Sequence, residues 1–302
     1  MERIKGLAMI IIGASLWGLS GPMMEWILEH CKMSVSFLLT NRLLIAGLLL
    51  IAYLKMKGKQ VTRPWRQKVW ARQMVIFGVL GMLGVQFSFT SAIAQSNAVI
   101  ATLFQFLSPI YVILFVSLRQ RFIPPVAQII GMCVTLGGLF LLLTNGSLSG
   151  FSLSPAAVFW GIAVGFAFTF YTLYPVRLMQ EWGVLLSIGW AMVVGGTALL
   201  ITNPSMVVRE IPYLFDWKIA FMLVGVIIVG TVAFLLFLAS MKFITPIETS
   251  ILSSFEPLTA MIVSVIWLGA VLGAWQLTGA VVMLLGVTGI SIAGGRVEKE
   301  GT

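Results

Sequence analysis

The sequence predicts an all-α membrane protein of ten transmembrane helices, arranged as two inverted five-helix repeats with both termini cytoplasmic. Three observations carry this: composition, the placement of charge and a weak internal repeat. Apolar residues make up 59% of the 302 and charged residues 10%, where a soluble domain has about a quarter charged. Ten stretches are apolar over the roughly 20 helical residues that a hydrocarbon core takes. They fall at residues 6–28, 34–54, 73–93, 97–118, 126–144, 156–176, 184–202, 218–240, 245–268 and 275–294.

The first stretch is too long for a cleaved secretory signal, and no small-residue cleavage site precedes the second, so it is expected to remain as a span. Cys31 falls on an outer connection and Cys133 inside the fifth stretch, which does not suggest a disulfide framework. With the N-terminus inside, fifteen of the nineteen lysines and arginines lie on inner connections. Lys32, Arg209 and Lys218 lie outside, and Arg42 lies within the second span. Basic residues near span ends favour the cytoplasmic side, so the net charge of +9 reads as a topology signal and not as a nucleic-acid footprint. The basic connection from Lys55 to Arg72 also holds Trp65 and Trp70, which suits a segment lying along anionic headgroups. An aromatic belt accounts for Trp26, Trp182, Trp217 and Trp275 near span ends.

Residues 97–143 can be laid without a gap on residues 245–291, a shift of 148. Six of the forty-seven aligned positions are identical: Pro109 with Pro257, Gln128 with Gln276, Gly131 with Gly279, Val134 with Val282, Leu136 with Leu284 and Gly138 with Gly286. The fixed spacing of proline, glutamine and glycines marks two related halves, residues 1–147 and 148–302. Five spans per half is odd, so the second half must be inserted upside down relative to the first. Arg119 and Arg121 follow the fourth span, whereas residues 269–274 after the ninth carry no charge, as inversion requires.

Polar residues inside the spans point to a site between the halves. Glu256 falls near the centre of the ninth span, where an ionised carboxylate costs at least about 2.5 kcal/mol. Thr245, Thr249, Ser253 and Glu256 are spaced by four, four and three and share one helical face. Their counterparts Asn97, Ala101, Gln105 and Ser108 form a second stripe on the fourth span. Pro109 and Pro257 withhold a backbone N–H from the carbonyls of Gln105 and Ser253. Those carbonyls are open to ligand or water, unless the prolines only kink the helices for packing. Arg42 either snorkels outward or pairs with a helix-end carbonyl, or it binds a substrate carboxylate or pairs with Glu256. Gln86 and Thr90 on the third span serve the cavity or interhelical packing, and Trp17 and Tyr171 serve as cavity walls or as core.

These residues resemble the EamA-like drug/metabolite transporters over nearly the whole chain. The resemblance rests on the paired five-span halves, Arg42, Gln86, the run from Asn97 to Pro109, and the Glu256-Pro257 element within Ser253 to Ala260. It implies an exporter of a small metabolite, such as an amino acid or related compound, working by alternating access in a bacterial plasma membrane. Many members carry an acid after the fourth and ninth spans; Arg119-Gln120 and Gly269-Ala270 stand there in this chain. The expected substrate-binding set is Glu256, Gln105, Ser253, Ser108, Gln86, Trp17, Tyr171, Arg42, Thr249 and Asn97.

Proton coupling through Glu256 is one expectation, and a passive uniporter, a channel or a flippase for lipid or hydrophobic drug is the alternative. An enzyme is not expected: the one histidine, His30, lies at an outer connection, and neither a His-Glu-x-x-His motif nor a nucleophile-base set occurs. The expected partners are a small-molecule substrate, membrane lipids and protons. No cofactor, metal or nucleic acid is called for, and no oligomer is required.

Overall fold

A computed structural model describes residues 2–121, 123–147, 153–240, 243–244, 252 and 255–300. Among these, every regular element is a helix. Seven helical segments are long and apolar enough to cross a membrane, and three shorter apolar helices occupy the predicted fifth, ninth and tenth stretches.

Helix α1 (Glu2–Cys31) leads to α2 (Val35–Met56), which Ser34 caps by accepting the Phe37 N–H at 3.2 Å. The third stretch is one helical path in three parts: α3 (Lys68–Ile76), a π-helical segment Phe77–Leu83, and α4 (Gly84–Gln95). Such widened turns recur at functional sites. The fourth stretch is broken into α5 (Ala98–Gln105) and α6 (Ser108–Gln120), with Pro109 in the first turn of α6. Pro109 has no N–H for the Gln105 carbonyl, and the chain turns instead through a Leu107 N–H to Phe104 O bond of 3.0 Å. The expected kink is therefore a discontinuity between two helices.

The remaining helices are α7 (Val126–Thr144), α8 (Pro155–Leu173), α9 (Val176–Trp182), α10 (Val184–Thr202), α11 (Ser205–Glu210), α12 (Trp217–Ser240), α13 (Phe255–Leu268) and α14 (Ala274–Glu300). Ser154 caps α8 through the Ala157 N–H, and Asp216 accepts the Lys218 N–H as α12 begins.

Glycines set the closest packing. Leu44 of α2 faces Gly196 of α10, Gly47 faces Val193, and Ile51 faces Gly189, so α2 and α10 run antiparallel. On α14, a Cβ at Gly279 would lie 2.6 Å from the Gly138 carbonyl of α7, and one at Gly286 would lie 3.0 Å from that of Gly131. Helices α7 and α14 are thus also antiparallel. Their contact exchanges partners under the 148-residue shift: Gly138 meets the counterpart of Gly131, and Gly131 the counterpart of Gly138. Backbones this close leave no room for a side chain at Gly138, Gly279 or Gly286.

One apolar cluster includes Phe37, Leu39, Leu43, Phe77 and Ile188 around α2 and α10. A second includes Ile100, Leu103, Phe104, Val164 and Met283 around α5, α8 and α14. Leu48, Leu49, Phe159, Phe221 and Ile266 are left outward, as helices surrounded by lipid allow.

Two contacts tie the first half of the chain to the second at opposite ends of α2. At its start, Glu210 Oε2 accepts the Ser34 N–H at 2.7 Å while Oε1 pairs with Arg209 at 2.6 Å. Beyond its far end, Trp190 Nε1 donates to the Val61 carbonyl at 2.7 Å, and the Trp65 and Trp190 rings meet edge to face at 5.1 Å.

Candidate functional site

A cavity of about 80 Å³ opens where α1, α2, α4, α5, α8, α10, α12 and α13 converge. It gathers six of the residues singled out by sequence: Trp17, Arg42, Gln86, Gln105, Tyr171 and Glu256. The elements behind them explain why they meet. The π-helical segment immediately precedes Val85 and Gln86, α5 ends at Gln105, and Glu256 lies in the first turn of α13. Glu256 comes close to α1 because Gly18 leaves its carbonyl room that any Cβ would fill.

The other four residues are placed differently. Asn97 lies outside the lining; its side chain accepts the Ile100 N–H at 2.9 Å and so caps α5. A polar residue directly before an apolar helix answers the free N–H groups of the first turn, and Asn97 takes that role here. Ser108 is buried outside the lining, and its carbonyl accepts the Thr169 hydroxyl at 3.3 Å. Thr249 and Ser253, like Thr245, lie outside the described residues.

Sequence reasoning missed Ser20, Met24, Phe89, Phe168 and Thr231, which also line the cavity. For the first two a signal existed. Trp17, Ser20 and Met24 are spaced by three and four beside Pro22, the same combination of stripe and proline read on the ninth span. Ser20 donates to the Trp17 carbonyl at 2.9 Å. The Trp17 ring lies 5.0 Å from Phe237, and Tyr171 is flanked by Phe77 and Phe168 at 5.6 and 5.9 Å. Thr90 stays off the lining and is buried against the Met24 sulfur.

Both charged groups of the cavity are withdrawn from water, with Arg42 8% and Glu256 7% exposed. Arg42 Nη1 contacts the Met24 sulfur at 2.9 Å, and a thioether is a weak acceptor. Among the described residues neither Arg42 nor Glu256 has an ion pair, and the Glu256 carboxyl has no hydrogen-bond partner. Gly230 makes room for the guanidinium, since a Cβ there would lie 2.7 Å from Nη2. Along α1, the Glu256 backbone lies at Gly18 and the Arg42 head at Met24. Six residues at about 1.5 Å each separate those levels by roughly 9 Å. The cavity therefore carries a cationic and an anionic group together with aromatic walls.

An all-helical bundle of long apolar segments around an internal cavity with charged and aromatic walls defines a membrane transporter. The sequence profile of the EamA-like transporter family matches residues 4–144 and 155–292, and the chain belongs to that family. Over 289 residues, 95% of each chain, it is 35% identical to the Salmonella typhimurium (strain LT2) protein named uncharacterized inner membrane transporter YicL. A crystal structure of a protein with 16% sequence identity aligns over 96% of this chain and 97% of its own, with a TM-score of 0.58, a likeness of fold.

Proposed function

We propose that this transporter exports a small zwitterionic metabolite, an amino acid or a close relative, by alternating access around the cavity, in exchange for protons at Glu256. The observation that carries the reading is the pair of buried charges, Arg42 and Glu256, without an ion pair among the described residues, on one aromatic-walled cavity. Burying an unpaired charge costs several kcal/mol, and a ligand with a carboxylate and an ammonium group offsets that cost at both ends. Gln86 and Gln105 add hydrogen bonds, and Trp17, Phe89, Phe168 and Tyr171 accommodate an apolar side chain.

Ten crossings in two inverted halves, with both termini cytoplasmic, complete the proposal. Its support is the antiparallel packing of the repeat-related pairs α2 with α10 and α7 with α14, the double match of the family profile and the distribution of basic residues. Inverted halves around a mid-membrane site suit exposure of that site to each side in turn.

The test is a thermal-shift screen of the purified protein against amino acids, amines, nucleobases and sugars, because a ligand that binds the folded state raises its stability. Amino acids should shift the midpoint, with methyl esters and N-acetyl derivatives much weaker. A shift by sugars or nucleobases alone would sink the zwitterion reading, and saturable uptake into proteoliposomes without proton movement would make the protein a uniporter. A lipid or hydrophobic-drug flippase is the second reading. It is favoured by a groove at the far end of α2 that Leu54, Leu186, Leu235 and Ala239 line together with Lys59 and Arg63. Transfer of a labelled phospholipid between leaflets, with no response to amino acids, would select it.

A further inference from the structure

Glu25 is a buried acid that the proposed transport cycle does not use. It lies on α1, six residues before its end, and is 5% exposed. Its Oε2 accepts the Ala98 N–H at 2.7 Å across 73 residues of sequence. Ala98 is the first residue of α5, and the last, Gln105, lines the cavity. The helix is eight residues, about 12 Å at 1.5 Å per residue, so a shift at one end is carried to the other. Every residue of α5 is buried.

Two features make this grip more than a chance contact. A carboxylate at a helix N-terminus satisfies a free N–H and meets the positive end of the helix dipole. Asn97 already serves the Ile100 N–H, so Glu25 supplies the partner that the local sequence leaves wanting. The repeat supplies the second. Under the 148-residue shift Ala98 falls on Pro246, which has no N–H, and Glu25 falls on Leu173, with no acid from Leu173 to Val176. Donor and acceptor are thus missing together from the second half.

We propose that Glu25 is a positioning residue of the transport site: by gripping the first N–H of α5 it sets where Gln105, at the other end, meets the cavity. The proposal rests on the cavity being the transport site, but its test needs no cargo and can fail or hold independently of that reading. Hydrogen exchange of the full-length protein in nanodiscs reports the grip. Gln105→Cys in a Cys31→Ser, Cys133→Ser background, labelled with N-ethylmaleimide, reports the far end. Loss of a helix cap corresponds to about a tenfold change. Glu25→Ala should speed exchange over residues 98–100 by about that factor and change the labelling rate at position 105 by a similar factor. Glu25→Gln keeps an oxygen acceptor in place and should restore both close to the parent.

A folded Glu25→Ala protein with unchanged exchange and labelling would overturn the proposal, as would a loss of protection spread equally over all helices. If Glu25→Ala does not fold, Glu25→Asp, shorter by one methylene, decides. An intermediate effect confined to α5 and position 105 supports the grip, and no effect overturns it.

Discussion

Arg42 lays its guanidinium on the sulfur of Met24, at 2.9 Å, and on no carboxylate among the described residues. A buried guanidinium left with so weak an acceptor is poised for an anion. With Arg42→Gln, amino acids should bind at least about thirtyfold more weakly, since truncating one partner of a buried charge pair costs about 2 kcal/mol or more. The preference for amino acids over their methyl esters should disappear with it. Titration calorimetry on the folded variant checks this, and an undiminished preference would show that Arg42 does not read the carboxylate.

Glu256 makes the complementary prediction. Glu256→Gln keeps the side chain's size and removes its charge, so the preference over N-acetyl derivatives should be lost while that over methyl esters remains. Proton-driven accumulation in proteoliposomes should stop. Transport with unchanged rate, affinity and pH dependence would remove Glu256 from the mechanism.

Neighbouring glycines on α7 should respond in opposite ways. A Cβ at Gly137 meets nothing within 4 Å, whereas at Gly138 it would overlap the backbone of Gly279 and Met283 on α14. Gly137→Ala should leave the thermal midpoint unchanged or raise it, by up to about 1 kcal/mol in helix propensity. Gly138→Ala should lower it through overpacking of about 1–3 kcal/mol. Equal midpoints would mean that α7 and α14 do not pack through these glycines.

Much of this was legible in the sequence because a membrane constrains it twice, through apolar length and through the cost of intramembrane charge. Arg42 and Glu256 stood out for that reason, and both line the cavity. Gly131, Gly138, Gly279 and Gly286 were visible as a repeat, but their role needed coordinates, since a pattern of glycines does not say which helix they face. The capping role of Asn97 was not legible because a cap and a ligand look alike at the start of a span. Glu25 escaped notice because an acid near a predicted span end resembles any interfacial residue, and only the fold brings Ala98 to it. The π-helical segment before Gln86 leaves no mark in composition, as its residues, Phe77 to Leu83, are ordinary span residues.

The two ties between the halves predict how the cavity changes sides. The Glu210 carboxylate holds Ser34 at the start of α2, and the Trp190 indole holds Val61 beyond its other end. If the cavity opens alternately at the two ends, each tie closes one of them, and weakening one should populate the state open at that end. A hydrogen bond to a charged group contributes about 1.5–3 kcal/mol and a neutral one about 0.5–1.5. Glu210→Ala should therefore shift the balance more than Trp190→Phe, and in the opposite direction. A cysteine at Gln86 in the background lacking Cys31 and Cys133 gives the readout, using a membrane-impermeant thiol reagent added to one side of oriented vesicles. Glu210→Ala should raise labelling from the face at the start of α2, the outer one in the proposed topology, and lower it from the other, and Trp190→Phe should do the reverse. Shifts in the same direction from both variants would show that these contacts support the bundle without gating it.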